Sequence, residues 1–378
     1  MKNKGFTLVE LLAVIAILAI LVIIALPNVL KMFNDSKKNS FLTEAKTVYS
    51  EVSKKYISES MKGNKLTYVS SEDDTKLDMT GKSLKYCVLL NADGSVKSMK
   101  VSNGEWIAEL SGNKKITDLK STDLKNGNLD NEECGPKKPK TFKEDSWDTI
   151  ANAVRTGQTS KYDIGDTREV DLGTYGKHTL RIANMSTPDE CNQEGFSQSA
   201  CGFVVEFTDI ITTHNMNPKG EYKGRTYDNG WNKDGWPASQ MKTLIDNDIY
   251  NSLPQELKSV IITTETVSGH GSEDANNFTS TDKLYLLAPK EIYSDWSNRY
   301  DTARDKTRQL DYYKIRYVTT NGSADVIKKD STGNNAEWWL RSASSNNSNN
   351  FYSVPSSGYW SDTPAHYTHG VSPAFRIG

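Results

Sequence analysis

The sequence predicts an α+β protein in which a long N-terminal helix packs on a small antiparallel sheet and a separate α+β domain follows. Three features support this prediction. An apolar segment runs to Pro27 and continues as a helical pattern, short strands alternate with turns over residues 66–110, and a Pro- and Lys-rich stretch separates two folded regions. The chain has 378 residues, which is enough for more than one domain of ordinary size.

The composition favours folded domains. Hydrophobic residues make up 36% of the chain and 18 residues are tyrosine, which is enough for packed cores. The formal net charge of −2 argues against general binding to nucleic acids, so no nucleic-acid partner is expected. The 4 cysteines allow two disulfides if the domains lie outside the cell, with three arithmetical pairings.

The N-terminal segment has the length and composition of a membrane span. Residues 6–26 carry no charge except Glu10, and at about 1.5 Å per residue they reach roughly 31 Å. Lys2 and Lys4 predict a cytoplasmic N-terminus, which places everything after Pro27 outside. A secretory signal peptide and a plain membrane anchor are the alternatives, although the sequence ALP at the end of the segment is a poor cleavage site.

The helical pattern continues beyond Pro27, which is expected to bend the helix. Apolar residues recur every three or four positions while Lys, Glu and Ser fill the gaps, so one helix is predicted over residues 6–62. The apolar positions are Leu42, Ala45, Val48, Tyr49, Val52 and Tyr56.

A small β head is predicted over residues 63–134. The stretches SLKYCVLL, SVKSMKVS and NGEWIAEL are separated by turn sequences such as NADG, which predicts a meander packed on the helix. Pairing of neighbouring cysteines gives a Cys87–Cys134 bridge across this head, and two free thiols are the alternative. Residues 135–145 are rich in Pro and Lys and predict a stiff linker.

The remaining residues, 146–378, are predicted to form one globular domain. EVDLGTYGKHTLRIANM predicts two paired strands, CGFVVEFTDII a core strand, and WWLRS another buried strand. Cys191 and Cys201 are expected to close a short extracellular loop, because a redox pair is normally spaced Cys-x-x-Cys.

The stretch KGFTLVELLAVIAILAILVIIALP resembles the N-terminus of type IV prepilins and pseudopilins. The resemblance implies a leader, residues 1–5, that a prepilin peptidase removes after Gly5, and methylation of the new N-terminal residue, Phe6. It also implies that Glu10 pairs with the freed amine of a neighbouring pilin, so that two charges offset one another in an apolar filament core. The chain is accordingly expected in the inner or cytoplasmic membrane first, and later at the cell surface or in an extracellular pilus.

A second resemblance covers residues 226–378. The blocks GWPASQMKTLI, SLPQELKSVI, STDKLYLLAPKEIY, EWWLRSAS and GVSPAFRIG are similar to a domain of Gram-positive and gut bacterial surface proteins. Its final strands resemble C-type-lectin-like folds, which implies a lectin-like architecture here. The Glu-Pro-Asn, Gln-Pro-Asp and Trp-Asn-Asp motifs of calcium-dependent lectins do not occur in the sequence, so calcium and monosaccharide binding are not implied.

Residues 342–370 are predicted to form a binding surface. The segment is rich in Ser, Asn, Tyr and Gly, which is typical of a low-complexity loop but also of antibody contact loops. Lectin-like folds also serve as the variable scaffold in proteins whose genes are edited by diversity-generating retroelements. These elements mutate adenines and so change Asn codons, which makes variability of this surface a further hypothesis. The predicted contact residues are Asn346, Asn347, Asn349, Asn350, Phe351, Tyr352, Tyr359, Trp360, Asp362, His366, Tyr367 and His369.

The sequence shows no His-Glu-x-x-His, Gly-x-Ser-x-Gly, P-loop or dinucleotide fingerprint. No enzyme activity, cofactor or bound metal is therefore expected. The acidic run EDANN at residues 273–277 is interpreted as a solvated loop. His366 and His369, beside Asp362, are interpreted as contact residues.

These features predict a minor pilin-like subunit whose helix embeds in a membrane or filament. Its C-terminal domain is expected to bind an unknown extracellular protein or glycan. The bulk of this domain predicts a position at a filament tip. One alternative is a pseudopilin of a type II secretion or DNA-uptake system, for which residues 137–143 offer the one basic cluster. The other alternative is a membrane-anchored surface enzyme.

Overall fold

The computed structural model divides the chain into two compact units, Met1–Lys137 and Lys138–Gly378. Each unit has its own hydrophobic core. The residues that the structure describes are 8–64, 66–72, 75–79, 83–112, 114–129, 134–135 and 139–378.

Helix α1 (Leu8–Met61) dominates the N-terminal unit and confirms the predicted long helix. Pro27 lies inside it. Among the described residues, α1 is the one helix long and apolar enough to cross a membrane. Its second half is amphipathic, because the core-facing positions recur every three or four residues. These buried positions are Phe41, Leu42, Ala45, Val48 and Val52.

The N-terminal unit also contains a five-stranded antiparallel sheet in the order β1-β2-β3-β4-β5. Burial alternates along β2, so that Tyr86, Val88 and Leu90 join the core that α1 covers. The strands are Tyr68–Ser70 (β1), Lys85–Leu90 (β2), Val96–Ser102 (β3), Trp106–Ser111 (β4) and Lys125–Asn126 (β5), with 3₁₀ turns at Ile116–Asp118 and Ser121–Asp123.

The turn between β2 and β3 contacts α1 directly. Gly94 has a φ of +82°, and a Cβ atom at this position would lie 2.2 Å from the ring of Tyr56. The Tyr56 hydroxyl donates a hydrogen bond of 2.9 Å to the carbonyl oxygen of Ala92. The predicted NADG turn therefore requires glycine both for its left-handed backbone and for the contact between helix and sheet.

Both predicted disulfides are confirmed. Cys87 and Cys134 are bonded with a Cα separation of 5.2 Å and a sequence separation of 47. Cys191 and Cys201 are bonded with a Cα separation of 6.0 Å and a sequence separation of 10. In the chain-entropy model, loops of these lengths stabilise the folded state by about 4 and about 3 kcal/mol.

The C-terminal unit has short helices and many short strands. The helices are α2 (Trp147–Thr156), α3 (Gln240–Leu244), α4 (Tyr250–Ser252), α5 (Gln255–Lys258), α6 (Pro289–Ile292) and α7 (Asp311–Ile315), with a π-helical turn at Ile245–Ile249 between α3 and α4. Turns of 3₁₀ helix occur at Gly173–Tyr175, Asp189–Asn192, Gln198–Ala200, Trp236–Ala238 and Ala324–Val326.

Two five-stranded sheets form the frame of this unit, in the orders β12-β21-β8-β7-β6 and β19-β18-β17-β20-β9. All neighbours are antiparallel except β17 and β20. The strands of the two sheets are Thr167–Asp171 (β6), Lys177–Asn184 (β7), Val204–Phe207 (β8), Thr212–His214 (β9), Ile261–Ile262 (β12), Trp338–Ala343 (β17), Asn350–Val354 (β18), Ser361–Pro364 (β19), His369–Val371 (β20) and Ala374–Ile377 (β21).

Three two-stranded ribbons complete the unit: Gly220–Tyr222 (β10) with Arg225–Tyr227 (β11), Thr264–Ser268 (β13) with Phe278–Asp282 (β14), and Lys328–Lys329 (β15) with Asn335–Ala336 (β16). The block GVSPAF carries the chain from β20 in one sheet to β21 in the other, so its role is to join the two sheets.

A buried ion pair joins two of the sequence blocks. Arg341 in WWLRS and Glu291 in APKEI are both fully buried and form a two-pronged contact, with Arg341 Nη1 2.7 Å and Nη2 2.5 Å from the carboxylate oxygens. Glu291 also accepts hydrogen bonds from Ser199 and Thr307. A buried pair is tolerated when such additional bonds satisfy it, so these blocks fix the core.

The C-terminal unit begins earlier than the sequence predicts. Phe142 is buried and lies against Trp147, Tyr162 and Phe203. Arg168 donates a hydrogen bond of 3.2 Å to the carbonyl oxygen of Phe142. Residues 139–145, which the sequence places in the linker 135–145, therefore belong to the folded unit, because one aromatic side chain in this Pro- and Lys-rich stretch reaches the core.

Candidate functional site

The first half of α1 exposes a continuous apolar surface. Every Leu, Ile, Val, Met and Phe over residues 8–33 is 44–76% exposed. Such a surface requires lipid or other protein chains around it, since it would associate in water. Glu10 lies in the first turn and is the only charged residue over residues 8–30. Gly5 and Phe6, the predicted cleavage and methylation positions, lie outside the described residues.

Two of the predicted contact residues are in the interior. Phe351 and Tyr352 in β18 are fully buried. β18 lies between β17 and β19, and both of its faces are covered, so neighbouring side chains that point in opposite directions are both buried. The prediction that these two residues form an exposed binding surface is therefore wrong. The composition of the segment does not reveal a covered strand within it.

The asparagine cluster forms a fixed loop between β17 and β18. Asn347 Oδ1 accepts hydrogen bonds of 3.2 and 2.7 Å from the backbone N–H groups of Asn349 and Asn350. The buried Asn232 Nδ2 lies 3.0 Å from the carbonyl oxygens of both Asn347 and Asn350. Of the four predicted asparagines, Asn346 alone is exposed and the other three are half-buried. Asn347 and Asn350 thus serve mainly to hold the loop.

The turn between β18 and β19 presents two exposed aromatic side chains. Tyr359 is 52% exposed and Trp360 is 37% exposed. Gly358 has a φ of +80°, and a Cβ atom there would lie 2.3 Å from the backbone oxygen of Ser323. A Cβ atom on Gly322 would lie 3.3 Å from the Tyr359 ring. The turn therefore packs backbone to backbone against a neighbouring loop.

Buried aromatic side chains support this turn from behind. The Trp360 ring meets Trp296 edge to face with centroids 5.1 Å apart, and Trp296 meets Tyr352 in the same way at 5.1 Å. Such pairs add about 0.5–1.5 kcal/mol each beyond area burial. The buried Tyr293 hydroxyl donates a hydrogen bond of 2.6 Å to the carbonyl oxygen of Tyr359. Tyr359 and Trp360 are consequently exposed yet held in position.

A buried carboxyl group lies beneath this support. Trp296 Nε1 donates a hydrogen bond of 2.9 Å to Asp301 Oδ2, and the Ala303 backbone N–H donates one of 3.2 Å to Oδ1. Burial raises the pKa of Asp301 to about 6, and the two hydrogen bonds only partly offset this effect. The Asp301 carboxyl group, which bonds the Trp296 ring that supports Trp360, therefore changes its charge near pH 6.

A second set of predicted contact residues lies beyond the other end of β19. Tyr367 is 50% exposed, and its ring contacts those of His366 at 4.5 Å and His369 at 6.1 Å. His369 lies over the buried Trp339 at 4.7 Å, and burial lowers its pKa. Glu337 Oε1 is 3.7 Å from His369 Nε2.

The predicted contact residues therefore form two separate patches. β19 spans Ser361–Pro364, and at about 3.3 Å per residue it separates the Tyr359–Trp360 turn from the histidine patch by roughly 13 Å. Asp362 is half-buried within β19, opposite Tyr352. The turn has two exposed aromatic residues that buried aromatic residues hold in position, so it is the stronger candidate for ligand contact.

Within the ranges given above, no group of three or more His, Cys, Asp or Glu side chains is placed to hold a metal ion. In the predicted EDANN loop, Glu273 accepts hydrogen bonds from Arg225 and Tyr227, and Asp274 forms an ion pair with Lys233. These acidic side chains are thus engaged in local ion pairs.

Sequence reasoning missed the supporting residues Trp296 and Tyr293. They lie more than fifty positions before the turn that they support, and nothing in the spacing of WSNRY or PKEIY signals that relation. Only the packing of the loop after α6 on β18 brings them together with Trp360.

Comparisons with known families match both ends of the chain. Residues 1–26 match the prokaryotic N-terminal methylation motif. The N-terminus is type IV prepilin-like. This motif and the exposed apolar half of α1 indicate membrane anchoring before assembly with other pilins, and processing by prepilin peptidase.

The C-terminal match is to a domain of unknown function, DUF6273, over residues 208–378. The match begins after β8, although β21 pairs with β8 in the first sheet. The folded unit is thus larger than the matched segment. No curated protein and no solved structure matches the chain. The C-type-lectin-like architecture of this unit stays a prediction.

Proposed function

We propose that this protein is a minor type IV pilin-like subunit that carries an adhesin-like binding domain, displayed at a filament tip. The observation that carries the proposal is the pairing of a prepilin-type N-terminus with a domain whose Tyr359 and Trp360 are exposed on a supported turn. A ligand gains most from aromatic side chains that are already fixed, because little conformational entropy is lost on binding.

The N-terminal helix supplies the assembly function in this proposal. Cleavage after Gly5 frees the amine of Phe6, and Glu10 pairs with such an amine on a neighbouring subunit. The apolar half of α1 then exchanges lipid for the side chains of other pilins. Pseudopilins use the same kind of N-terminus; what favours adhesion over secretion or uptake is the exposed aromatic turn of the C-terminal unit.

The proposed role of the C-terminal unit is binding rather than catalysis. Variation of residues 342–370, if it occurs, is expected at exposed positions such as Asn346, Tyr359 and Trp360. Phe351 and Tyr352 would stay apolar or aromatic because they fill the core.

The substitution Glu10→Val tests the assembly half of the proposal in cells. It removes the carboxylate but keeps the helix apolar, so leader cleavage is expected to continue while the amount of the protein in purified filaments falls at least fivefold. Adhesion is expected to fall in parallel, since the binding domain no longer reaches the filament. Immunoblots of membrane and filament fractions give the first readout.

Asp35→Val is the matched control, because Asp35 is an exposed carboxylate on the same helix but beyond the apolar segment. It should leave the filament fraction within twofold of wild type. Equal incorporation of the Glu10→Val protein would contradict the proposed pairing.

A further inference from the structure

Tyr317 adopts a backbone conformation that does not suit a tyrosine. It follows α7 with a φ of +55°. Its N–H donates to the carbonyl oxygen of Lys314 at 3.1 Å, and the Val318 N–H donates to that of Tyr313 at 3.1 Å. These bonds end the helix in the manner that usually uses glycine, since a Cβ atom makes the left-handed conformation unfavourable.

Packing of the Tyr317 side chain does not offset the unfavourable free energy of this backbone conformation. The residue is 87% exposed, the highest value among the large hydrophobic residues of the C-terminal unit. Among the described residues, the other non-glycine positions with positive φ are Lys223 and Asp234. Those two form an ion pair of 2.8 Å with each other. An exposed aromatic ring at a strained position is instead what a binding surface retains.

The loop that starts at Tyr317 reaches the turn that carries Tyr359 and Trp360. At its far end, a Cβ atom on Gly322 would lie 3.3 Å from the Tyr359 ring. The N–H of the next residue, Ser323, donates a hydrogen bond of 3.4 Å to the Gly358 carbonyl oxygen. The near end is fixed to the same support, because the Ser294 side chain donates a hydrogen bond of 3.1 Å to the Val318 carbonyl oxygen. Ser294 directly follows Tyr293, whose hydroxyl bonds the backbone of Tyr359. Both loops therefore belong to one surface.

The two loops carry no formal charge. Residues 317–323 read YVTTNGS and residues 355–361 read PSSGYWS, without Asp, Glu, Lys or Arg. Two carboxylates bond these loops. Asp295 accepts hydrogen bonds from the N–H and hydroxyl of Thr320 at 2.8 Å each. Asp325, which forms an ion pair of 3.3 Å with Arg316, accepts one of 3.1 Å from the Ser323 hydroxyl. Around the aromatic rings the loops thus offer hydroxyl and amide groups, which both donate and accept hydrogen bonds.

We propose that Tyr317, Tyr359 and Trp360 form one surface that binds an uncharged carbohydrate chain. Aromatic rings stack on the C–H faces of sugar rings, and the surrounding Thr, Ser and Asn side chains bond to sugar hydroxyls. A charged ligand would find no counter-charge in these loops. Three separate rings fall short of the roughly 800 Å² per partner typical of a stable protein interface. The proposal rests on the adhesive function proposed above and names its ligand class.

The test uses the full-length protein in detergent micelles and immobilised polysaccharides. Mannan, xylan and amylose are the uncharged probes, and polygalacturonate is the acidic one. Wild type is expected to bind at least one uncharged probe. Tyr317→Gly and Tyr317→Asn should each weaken that binding at least fivefold without lowering the melting temperature, since both residues tolerate positive φ.

Lys223→Gly is the matched control, because it relaxes a positive φ at an exposed residue without removing a ring; its binding should equal that of wild type. Unchanged binding by both Tyr317 variants, or a melting temperature several degrees lower, would overturn the role of Tyr317. Two results would overturn the ligand class and leave the adhesive function standing. One is binding to polygalacturonate alone. The other is binding to no polysaccharide while filament adhesion still requires Tyr359 and Trp360. Adhesion independent of Tyr359 and Trp360 would overturn the adhesive function itself.

Discussion

The apolar half of α1 and the β18–β19 turn both expose hydrophobic side chains, but they do so in different ways. Along α1 every large apolar residue over positions 8–33 is 44–76% exposed, and none of them lies in the core of the N-terminal unit. At the turn Tyr359 and Trp360 are the exposed hydrophobic side chains. Buried partners hold the backbone of Tyr359 and the ring of Trp360.

The difference shows that exposure alone does not define a binding site. The apolar surface of α1 is too large to be stable in contact with water. It therefore requires lipid or other helices around it. The turn exposes only two aromatic side chains, and in the proposed function its supported geometry provides selectivity. The two regions therefore fit assembly and recognition respectively.

The largest effect on stability and binding is expected when the support of the turn is removed. Gly358→Ala places a Cβ atom 2.3 Å from the backbone oxygen of Ser323 at a φ of +80°. Since this contact is with backbone and not with a flexible side chain, the free energy of unfolding of the C-terminal unit is expected to fall by about 2–5 kcal/mol, with a large loss of ligand binding. Denaturant unfolding measures the change.

Gly157→Ala provides the control for backbone strain alone. Gly157 follows α2 at a φ of +70°, and a Cβ atom there meets nothing within 4 Å. A loss of about 1–2 kcal/mol is expected. If the two alanine variants lost the same amount of stability, the close contact with Ser323 would not support the turn.

A smaller effect is expected from Asp301, which lies beneath Trp296. Its pKa is raised to about 6 in the folded protein by burial. The folded state therefore holds its proton more tightly than the unfolded chain, and the stabilisation is present below about pH 4 and lost as the pH rises through 6. Between these values the free energy of unfolding should fall by about 1–3 kcal/mol on account of this group.

Asp301→Asn isolates that contribution, because asparagine keeps an oxygen acceptor but does not titrate. The wild type should lose stability relative to this variant between pH 4 and 6 and stay parallel to it above pH 7. A difference that is constant with pH, or that favours wild type at higher pH, would contradict the burial of an ionisable carboxyl group here.

The elements with strong local signals could be predicted from the sequence. The helical spacing around Val48 and Val52, the alternation in KYCVLL and the turn at Gly94 each depend on neighbours in sequence. The pairing of adjacent cysteines also followed from the division into units.

The errors occurred where long-range packing decides. Phe351 and Tyr352 look like contact residues by composition, yet β18 is covered on both faces. Phe142 looks like part of a linker but packs on Trp147. The positive φ of Tyr317 leaves no trace in the sequence, because glycine is the residue that normally marks such a position.

The most direct test of the account is adhesion by filaments that carry Tyr359→Ala together with Trp360→Ala. Incorporation into filaments is expected to be unchanged, the melting temperature to fall by no more than a few degrees, and adhesion to fall at least tenfold. Tyr367→Ala, an equally exposed tyrosine beyond the other end of β19, should retain most adhesion. Full adhesion by the double variant would contradict the assignment of recognition to the turn.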